Sequence, residues 1–202
     1  MTARTPVAPY LPFARPSIDE ESIAGVAEVL RSGWLASGPN VLKFEQALSD
    51  YHEGRTARAV TSATAALELA LQVAGVGPGA EVITSAMSFF AAPNTIVKVG
   101  AKPVFVDCDL LTRNIDFDQV EASVTPRTRA IMPTHFAGLP VDIERLYAIA
   151  HKHGLRVIED AALAIGSRWR GQRIGACGDL VVLSFHPNKN MTTIEGGALL
   201  MS

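Results

Sequence analysis

The sequence has little cysteine, almost no net charge and no long apolar run. Its two cysteines, Cys108 and Cys177, supply neither a disulfide framework nor a zinc-ligand spacing. They fit a reducing, cytoplasmic setting. Eighteen Lys and Arg against 20 Asp and Glu leave a formal charge of −2, without the basic excess of a dedicated nucleic-acid binder. The longest apolar stretches, Leu180 to Leu183 and Ala198 to Met201, fall far short of the ~18 residues that span a bilayer. Met1 to Pro9 carries Arg4 but no apolar segment after it, which excludes a secretory signal. The first 15 residues read as a lead-in. What is present is core material. Hydrophobic residues make up 48% of 202, enough to exclude disorder of the whole chain.

The order of patterns is regular. Ser17 and Glu20 match a capping box, and Ile23, Val26, Val29 and Leu30 follow at helical spacing until Ser32-Gly33. Gly38-Pro39-Asn40 reads as a turn before a helix from Val41 to Tyr51. Strands are expected at Ala57 to Thr61, Glu81 to Thr84, Pro103 to Asp107, Thr128 to Pro133, Leu155 to Glu159, Leu180 to Phe185 and Gly197 to Met201. Helices are expected between them at Ala63 to Ala74, Ala91 to Val99, Asp116 to Val124 and Asp142 to His153. Short apolar runs alternating with amphipathic helices predict an α/β fold: a mostly parallel, seven-stranded sheet covered on both faces. The final apolar run has no polar tail, so the expectation is that the sequence is the N-terminal part of a longer protein.

Three segments can carry chemistry. Thr61-Ser62-Ala63-Thr64 lies where a strand ends and a helix begins, so free N–H groups and the helix dipole would face an anion. Ordinary capping by Ser62 or Thr64 explains the same residues. By contrast, Gly75-Val76-Gly77-Pro78-Gly79 follows a helix and precedes a strand, the wrong order for a dinucleotide fingerprint, and reads as a helix stop plus turn. Val157-Ile158-Glu159-Asp160-Ala161-Ala162 ends an apolar strand with two carboxylates. Alternation sends them to opposite faces, so only one can meet a given ligand. Capping of a following helix by Asp160 is an equally good account. Ser184-Phe185-His186-Pro187-Asn188-Lys189-Asn190 places one lysine between two buried strands, near the same sheet edge as Asp160. A lysine amine condenses with carbonyls once its pKa is lowered. The five histidines share no helix face that would bind a metal, no nucleophile elbow is present, and Phe89 and Phe90 read as core.

In this order, Ser62-Ala63-Thr64-Ala65-Ala66-Leu67, Val157-Ile158-Glu159-Asp160-Ala161-Ala162 and residues 184–190 with Glu195-Gly196-Gly197 resemble the pyridoxal-phosphate-dependent sugar aminotransferases of the DegT/DnrJ/StrS type. The similarity runs from Leu11-Pro12-Phe13 to the last residue, through Ser32-Gly33-Trp34, Gly38-Pro39, Pro126-Arg127-Thr128 and His135-Phe136-Ala137-Gly138. The segments 11–16 and 32–39 look most like the branch that aminates a UDP-linked 4-keto-arabinose.

The resemblance implies the large domain of the fold-type I transferases over residues 16–202, with the family's C-terminal small domain outside this sequence. It implies pyridoxal 5'-phosphate as cofactor, covalently held by Lys189, which also shuttles a proton between substrate and cofactor carbons. Asp160 would pair with the protonated pyridine nitrogen. Ala63, Thr64 and Ser184 would hold the phosphate, and Phe89 would stack on the ring. Trp34 and Met87 lie in segments that approach the substrate in the family. The implied reaction moves an amino group, from glutamate, to a nucleotide-linked keto-sugar of polysaccharide, lipopolysaccharide or secondary-metabolite biosynthesis, in a cytoplasmic homodimer. The family's His or Gln three residues after the aspartate is Leu163 here. A related sugar dehydratase would carry histidine in place of Lys189, so that reading is disfavoured. The remaining alternative is an inert, truncated fragment.

Overall fold

The computed structural model describes residues 10–12 and 14–202; residues 1–9 of the expected lead-in, and Phe13, lie outside the described residues. The chain runs α1 (Glu20–Ser32), α2 (Pro39–Tyr51), β1 (Thr56–Val60), α3 (Ala63–Val73), β2 (Glu81–Ser85), α4 (Ala91–Lys98), β3 (Lys102–Val106), α5 (Phe117–Ala122), β4 (Thr128–Met132), α6 (Ile143–His153), β5 (Arg156–Asp160), β6 (Arg168–Trp169), β7 (Gln172–Arg173), β8 (Leu180–Ser184) and β9 (Gly197–Met201). Seven strands form one sheet in the order β1-β9-β8-β5-β4-β2-β3. Only β9 runs against its neighbours, β1 and β8; the other pairs are parallel. The expected mostly parallel α/β sheet is therefore present. Among the described residues no helix is long and apolar enough to cross a membrane.

Strand alternation divides the core. Val82, Met132, Ile158, Val182 and Leu199 pack with Leu67, Leu71 and Ile96 of α3 and α4 on one face. Ile83, Ile131 and Val157 meet Phe117, Val120 and Leu146 of α5 and α6 on the other. Val181, Leu183 and Leu200 continue that second face against Leu48 of α2. Strands buried on both faces have no polar side, which is why they read as continuous apolar runs.

Four local expectations need correction. The cap of α1 is Asp19, whose carboxylate accepts the Ser22 N–H at 2.8 Å; Ser17 lies outside the helix. Pro39 is not in a free turn but opens α2, where its fixed φ and missing N–H cost nothing. No helix follows Asp160: residues 161–167 are turns, so the helix-capping account of Asp160 fails. Phe89 and Phe90 are not core; they are 58% and 65% exposed, their rings 4.2 Å apart. The β6–β7 hairpin escaped the sequence reading, as did a short 3-10 turn at Phe136–Gly138. The hairpin's turn holds Arg170 and Gly171 at φ 46° and 88°, the doubly positive conformation of a tight hairpin turn.

Candidate active site

Strands β1, β5 and β8 point their C-terminal ends to the same sheet edge, where open α/β sheets place ligands. Asp160 and Ser184 are the last residues of β5 and β8, and both lie on the face covered by α3. A cleft of about 180 Å³ opens there, lined among others by Ala63, Thr64, Phe89, Asp160, Ser184 and Lys189. Every residue expected to bind cofactor is thus brought into one cavity. Trp34 is not among its lining residues; its indole N–H donates to the Ser37 carbonyl in the α1–α2 connection. Met87 also lies off the cleft lining, with its sulfur 3.9 Å from Cys108 Sγ.

The anion end of the cleft is built by backbone. Ser62 caps α3, accepting the Ala65 N–H at 3.1 Å, so capping and anion binding are compatible here rather than rivals. Helix α3 can sit this low because β9 begins with glycine. A Cβ on Gly197 would lie 2.4 Å from Ala63 N and 2.5 Å from Ser62 C. The orphan N–H groups of the first turn then face the cleft.

The opposite end is acidic and buried. Asp160 is 4% exposed, and its Oδ1 accepts the Ala162 N–H at 3.1 Å. Burial pushes its carboxyl above the usual carboxylate range; the Ala162 hydrogen bond and the positive charge at Lys189 oppose this. A further cation in the cleft would favour the ionised form. Glu159 points to the other sheet face, as alternation requires, and never meets the cleft.

Lys189 belongs to residues 185–196, the loop from β8 to β9. Its N–H closes a turn on the His186 carbonyl at 2.9 Å, and its Nζ lies 6.0 Å from the centre of the Phe89 ring. Thr192 and Thr193 tie the loop back: the Thr192 hydroxyl and the Thr193 N–H both donate to the Phe185 carbonyl. Ile194 is held at φ 72°, a strained state for a β-branched residue. Sequence reasoning missed His186, Asn188, Ala91 and Ala162 as cleft residues. The signal was available for the first two, which share the lysine segment.

One cleft thus offers an anion cradle, a buried carboxylate suited to a cation, an aromatic face and a primary amine. Comparison with known proteins gives this arrangement a family. The DegT/DnrJ/EryC1/StrS aminotransferase model matches residues 16–202. The chain belongs to that family. Family members are pyridoxal-phosphate-dependent aminotransferases acting in sugar metabolism, and the UDP-arabinose branch gains no support beyond this. The chain is 47% identical over 190 residues to the spore coat polysaccharide biosynthesis protein SpsC of Bacillus subtilis, covering 94% of this chain and 49% of SpsC. It superposes on the PLP form of Spr1654 from Streptococcus pneumoniae with a TM-score of 0.92 at 38% identity, covering 95% of this chain and 53% of that one. For PseC of Helicobacter pylori, an aminotransferase of pseudoaminic acid biosynthesis, the values are 0.89 and 33%, over 94% and 52%. The chain spans about half the length of the relatives it matches. Pyridoxal phosphate is the family cofactor, and the four features of the cleft fit its phosphate, ring nitrogen, ring face and aldehyde.

Proposed function

We propose that this chain carries the cofactor half of an aminotransferase that moves an amino group from glutamate to a nucleotide-linked keto-sugar. The observation that carries the reading is the meeting of Asp160 and Lys189 in one cleft with the first turn of α3. Spore-coat polysaccharide and pseudoaminic acid pathways of the relatives support a sugar substrate.

Pyridoxal phosphate, when bound, supplies an electron sink for the carbanion formed at the substrate carbon. The chain supplies the rest. Ala63 and Thr64 N–H groups and the Ser184 hydroxyl would bind the phosphate at the α3 terminus. Asp160, buried at the cleft, would hold a proton on the ring nitrogen, whose positive charge would favour the ionised carboxylate. Lys189 Nζ would hold the cofactor covalently and, once the amine of the incoming substrate displaces it, would be the free base that takes the proton from the substrate carbon and returns it on the cofactor side. Phe89, which lines the cleft, would offer its face to the ring. Leu163 offers no hydrogen bond at the position where the resemblance implies His or Gln, so Asp160 and Phe89 would orient the ring. The exposed apolar residues Ile23, Val26 and Leu30 of α1 support a homodimer, and the free cysteines support a cytoplasmic setting.

The test is amino transfer by the intact protein, with glutamate and UDP- or dTDP-linked keto-sugars, followed by product mass. A product one amino group richer is expected. Turnover of glutamate with no sugar in a panel of such substrates refutes the substrate class.

A further inference from the structure

Behind Asp160, on the far face of the sheet, lies a buried polar cluster that the proposed reaction does not use. Glu159 Oε1 accepts the Tyr147 hydroxyl at 2.7 Å, and Oε2 lies 3.0 Å from His135 Nε2. The Tyr147 oxygen in turn accepts the Asp179 N–H at 2.7 Å. His135 Nδ1 accepts the Val141 N–H at 3.1 Å. That bond assigns the tautomer: the lone pair is at Nδ1, the proton at Nε2, and the imidazole is neutral. His135 is 1% exposed and Glu159 2%.

The same histidine reaches Asp160 through its backbone. Regular pairing of β4 with β5 covers Ala130↔Arg156 and Ile131↔Val157 and stops there. Beyond it, Asp160 is held to the β4 side by an isolated bridge with Thr134. In that bridge the Asp160 N–H donates to the Pro133 carbonyl at 2.9 Å, and the His135 N–H donates to the Asp160 carbonyl at 3.0 Å. On its other side β5 stays paired with β8 through Glu159 and Asp160, so it is on the β4 side that the regular ladder has ended and a side chain supplements the bridge. The His135 ring does so, spanning from the Val141 amide to the carboxylate of the residue before Asp160.

We propose that His135 is a positioning residue, which aims the Asp160 carboxylate into the cleft by clamping Glu159 on one face and the Asp160 peptide at the edge. This rests on the cofactor reading above. A buried carboxylate that loses a donor re-forms its surroundings to regain one, and here those surroundings include the Asp160 backbone. The expected cost is about tenfold in cofactor affinity, the low end for removing a residue behind a binding group.

The experiment titrates the purified intact protein with pyridoxal phosphate, recording affinity and the visible absorption band at fixed pH. It compares the parent with His135→Leu, His135→Asn, His135→Gln and Asp160→Asn. The Gln amide can still donate to Glu159, whereas the shorter Asn cannot reach it. The Leu and Asn variants are expected to bind about tenfold more weakly, with the band moved toward that of Asp160→Asn. Gln should restore both. If Leu fails to fold, the contrast of Asn with Gln decides. Variants that lose thermal stability but keep the parental affinity and band overturn the proposal, leaving His135 a structural residue only. A parent that binds no cofactor overturns the cofactor reading, and this inference with it.

Discussion

Replacing Gly197 by alanine puts one methyl group between two pieces of backbone. The added carbon would stand 2.4 Å from Ala63 N and 2.5 Å from Ser62 C, against 3.4 Å or more in ordinary contact. One side must move by about 1 Å. Strand β9 cannot yield easily, because it is paired along its length to both β1 and β8. Helix α3 yields instead, and it carries the anion cradle. Overpacking of a tight site costs about 1–3 kcal/mol, and backbone on both sides places this one near the top, at about 3 kcal/mol. For a chain of this size that is a fall of about 6–12 °C in Tm. Gly25, inside α1 with nothing within 4 Å of an added Cβ, is the control. There alanine should stabilise by about 0.5–1 kcal/mol. Circular dichroism melts of the parent and both variants read the stability, and titration with pyridoxal phosphate reads the cradle. A Gly197→Ala protein that melts within about 1 °C of the parent, with unchanged cofactor affinity, refutes the close-approach reasoning.

Asp160→Asn should bind pyridoxal phosphate at least about tenfold more weakly than the parent and lose at least about 10²-fold in amino transfer, because a neutral amide cannot hold the ring proton; near-normal turnover removes Asp160 from that role. His52 is fully buried and its pKa is depressed, by burial first, below the ordinary 6.5. The unfolded chain therefore binds a proton that the folded one refuses. Stability should fall as pH drops through about 6.5 toward the folded-state value, and urea midpoints of His52→Leu should lose part of that slope; an unchanged slope contradicts it. Asp179 accepts Arg156 through two N–H groups at 2.6 and 2.7 Å and the Val157 N–H at 3.1 Å. Asp179→Ala should cost about 2 kcal/mol in urea unfolding, and a loss under 0.5 kcal/mol would show the pair to be idle.

The parts of the fold legible in the sequence were those with a strong local period. The apolar runs of β5 and β8 and the capped, amphipathic α6 fall within a residue or so of expectation. The hairpin β6–β7 was not legible: two-residue strands have no period, and its turn is Arg-Gly rather than Asn-Gly. The exposure of Phe89 and Phe90 was hidden because ring hydrophobicity does not say which surface a ring faces. Asp160 and Lys189 could be placed together from the sheet-edge rule alone. The need for glycine at 197 could not, since its neighbours, Ser62 and Ala63, are remote in sequence. The cluster of His135, Tyr147, Glu159 and Asp179 gathers residues from four segments, each ordinary by itself.

The most direct measurement is the site of covalent attachment. Incubation of the purified protein with pyridoxal phosphate, reduction with borohydride and peptide mapping by mass should place the phosphopyridoxyl group on Lys189. The visible band should vanish on reduction and be missing from Lys189→Ala. A label found on Lys43, Lys98, Lys102 or Lys152 in place of Lys189, or no label with excess cofactor, would contradict the account.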